Sequence, residues 1–105
     1  RKIVKIDNGA GRELGKFPTT VQAKFKALFD ILETEGKLEE PYAKKIGGKD
    51  NLFEVRVKHE GQWRALYAYF SGEVVIILSA FKKTAQKTPT KELNKARKRL
   101  KRYLF

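Results

Sequence analysis

The sequence predicts a small α+β fold of order β-α-(α)-β-β-β-α, with helices packed on a small, antiparallel-rich sheet. Three observations carry that prediction. Apolar residues recur at helical spacing from Val21 to Leu32. From Leu52 the apolar period changes to two, through three successive strands that end at Phe81. Beyond Phe81 a last helix has a narrow apolar seam and is basic almost everywhere else.

Each element has a local reason. Lys2–Asp7 alternates polar and apolar residues and reads as a short first strand, and Asn8–Lys16, with three glycines, reads as a loop. Pro18-Thr19-Thr20 opens a helix, with Thr19 and Gln22 spaced as a capping box. Val21, Phe25, Leu28, Phe29 and Leu32 form its apolar stripe, and Gly36 ends it as a C-cap. Glu39–Ile46 reads as a short second helix broken by Gly47-Gly48. The strands then follow from Leu52, over Gln62–Phe70 and over Glu73–Phe81. Thr88 as N-cap and Pro89 as first residue start the final helix, whose seam is Leu93, Ala96, Leu100 and Tyr103/Leu104.

A chain of 105 residues with 41% apolar residues supports one domain, 1–105, with a single core. There is no cysteine and one histidine, which excludes disulfides, thiolate zinc sites and a His-rich metal site; no metal or other cofactor is expected. The longest aliphatic run, Val74–Leu78, is far too short to span a membrane, and no signal peptide is visible. The expectation is a soluble, cytoplasmic protein without a membrane partner, whose native start lies open upstream of Arg1.

Charge is concentrated near the C-terminus. Residues 82–105 carry ten Lys/Arg, among them Lys82, Lys83, Lys87, Lys91 and Lys95, against Glu92 alone, which accounts for +9 of the formal +12. Such a field suits a polyanion, either nucleic acid or an acidic protein segment, although a charge run can also be only a solvated helix face.

Turn chemistry places the remaining cations. A three-residue loop, His59-Glu60-Gly61 with the glycine left-handed, pairs Lys58 with Gln62, Arg56 with Arg64, Val57 with Trp63 and Phe53 with Tyr67. That register gathers the apolar residues on one face, so Trp63, Tyr67 and Tyr69 are expected in the core. A two-residue Ser71-Gly72 turn would set Arg64 opposite Ser79 and Tyr67 opposite Ile76, with Val74, Ile76 and Leu78 on the core face. The opposite face then carries Arg56, Arg64 and Ser79 in a row, with Lys58 and Phe81 beside them. Like charges directly opposite one another destabilise a sheet, so the row reads as an anion site unless Glu54 or another acid neutralises both arginines. Lys82, Lys83 and Lys87 leave the sheet at the same end and would complete a phosphate-sized cluster.

Leu52–Tyr69, LFEVRVKHEGQWRALYAY, followed by VVIILSAFKKTAQKTP and a basic helix, resembles the RelE/HigB group of bacterial type II toxins, and most of all its phage-derived HigB-like branch. The resemblance runs from Lys2 through Tyr103 and implies the RelE-like β-α-α-β-β-β-α fold. It further implies an endoribonuclease that cuts mRNA on the ribosome and inhibits translation. It also implies a cognate antitoxin, often of helix-turn-helix type in this branch, with an acidic contact surface. By position it makes Arg64 the arginine on the scissile phosphate, and Arg56 and Lys58 the basic residues of the preceding strand. Lys82 and Lys83 match the cations after the last strand, and Phe81 sits where a ring could support a base. Where many relatives place a Tyr or His before the final helix, this chain reads Thr84-Ala85-Gln86-Lys87-Thr88, so the proton-transfer group is open.

Metal-free cleavage by the 2′-hydroxyl needs a base, neutralisation of a phosphorane and an acid. Arg56 and Arg64 suit the second task, and Lys58 or Lys83 is the expected proton-transfer residue. His59, on the hairpin loop, is the alternative base. The face of the final helix bearing Lys91 and Lys95 is expected to meet RNA or the antitoxin. Two rival readings share the fold or the charge: a ParE-like toxin that binds DNA gyrase without cutting nucleic acid, and a non-catalytic nucleic-acid-binding module.

Overall fold

The computed structural model describes residues 1–46 and 51–104. Among these, the elements are β1 (Ile3–Ile6), α1 (Asn8–Gly15), α2 (Thr19–Glu35), β2 (Ala43–Ile46), β3 (Leu52–Lys58), β4 (Gln62–Tyr69), β5 (Val74–Lys83) and α3 (Thr90–Lys101). The strands form a five-stranded sheet of order β1-β5-β4-β3-β2, antiparallel except that β1 runs parallel to β5. The α+β class and the antiparallel-rich sheet are as predicted. None of the described helices is long and apolar enough to cross a membrane.

Four local expectations are corrected. Asn8–Gly15 is a helix, because the Asp7 carboxylate caps it by accepting from the Gly9 N–H at 2.9 Å and the Ala10 N–H at 3.3 Å. Gly9 marks a close approach here and not a loop: a Cβ at this position would stand 2.5 Å from the Arg99 guanidinium carbon. The N-cap of α2 is Pro18 and not Thr19, and the Gln22 amide turns back to the carbonyls of Gly15 (3.3 Å) and Phe17 (2.9 Å). Instead of a second helix over Glu39–Ile46, one turn ends at Ala43 and β2 begins, its backbone groups satisfied by pairing Ala43 with Val55 and Ile46 with Leu52. Gly47-Gly48 lies outside the described residues. At the last helix Pro89 is the N-cap, and Thr88 is left free to bond elsewhere. Gly36 does close α2 in the left-handed conformation, at φ +81°.

The β3–β4 register is the predicted one, pair for pair, with positive φ at Gly61 (+134°) and also at Glu60 (+48°). The β4–β5 register is not. The turn is one residue longer than expected, pairing Tyr69 with Val75 and Tyr67 with Ile77. An irregularity at Leu66/Tyr67 then shifts the ladder once more, so that Leu66 faces Ser79 and Arg64 faces Phe81. The first slip turns Val74, Ile76 and Leu78 away from the Tyr67 face, and the second restores Ser79 and Phe81 to the Arg64 face.

The sheet is consequently covered on both sides. Phe25, Phe29 and Leu32 of α2 and Ala10 and Leu14 of α1 pack against Val55, Trp63, Tyr67, Val75 and Ile77. On the other face, Leu52, Leu66, Ile76, Leu78 and Phe81 pack against Ala96, Leu93 and Leu100 of α3. That second layer stops short of Arg56, Arg64 and Lys58, which mark the uncovered end of the face.

Candidate active site

Two adjacent rows cross the sheet at the margin of the α3 layer. One is Arg56–Arg64–Phe81 and the other is Lys58–Gln62–Lys83, each a line of directly paired residues on β3, β4 and β5. Residues two apart on a strand share a face, so the two rows form one patch. Gln62 ties them together, since its side-chain oxygen accepts from Arg64 Nη2 at 3.1 Å.

Beneath the patch sits Glu54, which is 1% exposed. Its Oε1 lies 3.3 Å from Arg56 Nε and 3.4 Å from Arg64 Nε, and its Oε2 accepts a hydrogen bond from the Thr88 hydroxyl. One carboxylate thus stands between two directly opposed guanidinium groups, an arrangement that removes the like-charge clash and leaves the pair with a net positive charge. The buried Arg64 also donates Nη1 to the Trp63 carbonyl at 3.0 Å. Burial lowers its pKa, Glu54 opposes that shift and Arg56 adds to it; the net result is a lowered value. Its cation is therefore under-compensated, and a further anion alongside would stabilise it.

The arginines open onto a cleft of about 610 Å³. It is lined by Lys24 and Leu28 of α2, by Pro41 and Tyr42 ahead of β2, and by Arg56, Lys58, Gln62 and Arg64 of the sheet. The Arg56 side chain remains about one-third exposed (31%), against 8% for Arg64. Arg56 is thus the guanidinium a ligand meets first, with Arg64 behind it.

The other sequence-predicted site residues divide. Lys58 and Lys83 lie in the patch. Phe81 shares the row of Arg64 but is buried against the α3 layer. Lys82 points to the opposite face, with Nζ 5.1 Å from the centroid of the Trp63 ring, a cation–π contact. His59 sits in the hairpin turn, its Nε2 3.4 Å from Glu60 Oε2, and does not line the cleft. Lys87 and Lys91 are exposed on the β5–α3 connection and the first turn of α3. Lys95 is occupied by Glu13 Oε2 at 2.9 Å and Glu92 Oε1 at 3.2 Å; burial lowers its pKa, but these two carboxylates outweigh that and raise it. Trp63, Tyr67 and Tyr69 belong to the α2-side core, as expected, and burial pushes the Tyr67 hydroxyl strongly up.

Sequence reasoning missed Lys24, Tyr42, Gln62 and Thr88. Gln62 was legible, because the register that pairs Arg56 with Arg64 also places it between the two lysines. Tyr42 was hidden by reading its segment as helix, and Thr88 by reading it as a cap. Lys24 carries no signal of its own beside an apolar stripe.

This topology defines a protein with the fold of the RelE toxins. A mutant E. coli RelE toxin in the free state superposes with a TM-score of 0.68 at 23% identity, covering 93% of this chain and 96% of that one. A chain of the intact E. coli RelBE toxin–antitoxin complex gives 0.66 at 20% identity, covering 81% and 100%. The archaeal RelE–RelB complex from Pyrococcus horikoshii OT3 gives 0.61 at 26% identity, covering 82% and 98%. The family model described as phage derived protein Gp49-like matches residues 12–101, and the chain belongs to that family. A comparison with curated protein sequences finds no match.

Proposed function

We propose that this chain is the toxin of a type II toxin–antitoxin system and acts as an mRNA endoribonuclease on the ribosome. The observation that carries the reading is the patch itself: Arg56, Arg64, Lys58 and Lys83 within two adjacent rows, over the single carboxylate of Glu54. The RelE fold and the toxin–antitoxin complexes among its structural neighbours support it.

In this mechanism the ribose 2′-hydroxyl attacks the adjacent phosphorus, and the bond to the 5′-oxygen breaks. The products are a 2′,3′-cyclic phosphate and a free 5′-hydroxyl. Arg56 meets the phosphate, and Arg64, held in plane by Gln62 and the Trp63 carbonyl, stabilises the phosphorane's extra negative charge. Lys58 and Lys83, at the two ends of the Gln62 row, carry the proton from the 2′-hydroxyl and to the leaving 5′-oxygen. The cognate antitoxin supplies an acidic segment that fills the same cationic cleft in the cytoplasm.

The test is primer extension on a reporter mRNA in a cell-free translation reaction. New 5′ ends within translated codons are expected with the wild type. With Arg56→Ala or Arg64→Ala they should fall by a factor of about 10²–10³, the scale of losing one transition-state donor. Intact mRNA with wild-type protein would overturn the reading in favour of a gyrase-directed toxin or a plain binding module.

A further inference from the structure

The cleft beside the arginines has a feature that phosphate chemistry leaves unused. Tyr42 is 54% exposed, among the large apolar residues most open to solvent. Its backbone is nonetheless fixed on both sides: its carbonyl accepts from the Arg56 N–H at 2.8 Å, and its N–H donates to the Glu39 carbonyl at 2.9 Å. An aromatic ring is thus presented on a rigid mount one strand away from the more exposed guanidinium. The same cleft is lined by the apolar Leu28 and by the cations Lys24 and Lys58. Among the described residues, no carboxylate lines the cleft.

We propose that this cleft is a base-binding subsite for single-stranded RNA, in which one base stacks on Tyr42 within the cleft that Leu28 also lines. The flanking phosphates lie on Arg56, Lys58 and Lys24. The inference rests on the ribonuclease reading for its choice of RNA, and it adds to that reading the group that positions the chain along the cleft. Three properties select a nucleotide. The volume of about 610 Å³ falls within the range of small-molecule sites, roughly 300–1,000 Å³. A lining that mixes apolar groups (Leu28, Tyr42, Val57) with cations (Lys24, Arg56, Lys58) matches a flat heterocycle carried on a polyanion. A stacking platform is indifferent to base identity, as a strand passing through many sequences requires. Tyr42 is on this view a binding residue, and the reacting atoms remain with the arginine and lysine rows.

The probe is a fluorescent hexaribonucleotide with 2′-O-methyl riboses, which cannot be cleaved by 2′-hydroxyl attack, titrated by anisotropy. Tyr42→Ala and Tyr42→Leu should each weaken binding about fivefold or more, and Tyr42→Phe should stay within about twofold of wild type. The same oligonucleotide made abasic at one position should, for the best-placed position, bind wild type and Tyr42→Leu equally. Because Tyr42 is exposed, thermal unfolding of all three variants should match wild type, which separates lost stacking from lost fold. Wild-type affinity in Tyr42→Leu would overturn the subsite. Loss of affinity only for an acidic protein inhibitor, with RNA binding intact, would likewise overturn it and give Tyr42 to a protein interface. Failure here is distinct from failure of the ribonuclease reading. Cleavage that depends on Arg64 with Tyr42-independent binding sinks only the subsite. Tyr42-dependent binding without cleavage supports the subsite and sinks the nuclease.

Discussion

Two charge clusters in this molecule use the same residue types to opposite ends. Where α3 meets α1, Asp7, Glu13 and Glu92 face Lys95, Arg99 and Arg102, three acids for three cations. Arg99 is fully employed there: it donates to both Glu13 oxygens at 2.9 and 3.0 Å and to the Leu78 carbonyl at 2.9 Å. Tyr103 closes the group by donating to Asp7 at 2.7 Å. Around Glu54, by contrast, Arg56 and Arg64 share one carboxylate while Lys24 and Lys58 border the same cleft. The first cluster balances its charges and fastens a helix. The second is left with unmatched positive charge and a cleft beside it, which is what a binding site for an anion requires.

The comparison breaks most visibly at its two central residues. Glu54→Ala leaves two opposed guanidinium groups with nothing between them, and should cost about 3 kcal/mol in urea unfolding. Because the orphaned groups are cations, tens of millimolar sulfate should restore much of that loss, and should stabilise the variant more than wild type. Arg99→Ala orphans acids instead. It should cost about 2 kcal/mol, less because Lys95 and Tyr103 remain on Glu13 and Asp7, and sulfate should give it no special recovery. Equal sulfate responses in the two variants would mean that the clusters do not differ in kind.

Acid pH separates them further. Burial alone would raise the pKa of Glu13, but the hydrogen bonds from Arg99, Lys95 and the Ala80 N–H outweigh it and bring the value below the ordinary 4.5. Asp7 likewise falls below 3.8, because Tyr103, the N–H groups of Ala10 and Gly9, and Arg99 overcome its burial. Carboxylates depressed in the folded state contribute stability that is fully present above their ordinary values and is lost as pH falls through the native ones. Wild type should therefore lose stability below about pH 4.5 more steeply than Arg99→Ala, and the two should converge in urea titrations once the pH has fallen through the lowered native values.

The sequence exposed one cluster and concealed the other for physical reasons. The Arg56–Arg64 pairing could be read because Gly61 constrains the hairpin and only one register collects Val55, Val57, Trp63 and Tyr67 on a single face. Glu54, two residues from Arg56 on the same face, was open to view as a neutralising acid by the same logic. The α1–α3 cluster could not be read, because Asp7 and Glu13 meet Lys95, Arg99 and Tyr103 across 82 to 96 residues of chain and no local pattern links the two segments. Gly9 and Gly11, which looked like loop residues, sit in a helix that Asp7 caps. The β5 register failed at a turn one residue longer than its dipeptide suggested and at an irregularity that leaves no mark in composition. The largest excess of charge in the sequence, on α3, thus proves to be partly internal wiring.

That division can be tested on α3 itself. Lys91 and Lys98 are seven residues apart and Lys101 follows three later, so they share a stripe that faces solvent, while Lys95 and Arg99 look inward to Glu13. Lys98→Ala with Lys101→Ala should change stability by no more than about 0.5 kcal/mol. If the outward stripe meets RNA phosphates, the same pair should flatten the dependence of log Kd on log salt by up to about 0.7 per lysine. Lys95→Ala should do the reverse, lowering stability while leaving the salt slope of the hexanucleotide near wild type. A salt slope that moved with Lys95 and not with Lys98 and Lys101 would mean that the balanced cluster opens to bind, and the contrast between the two clusters would fall.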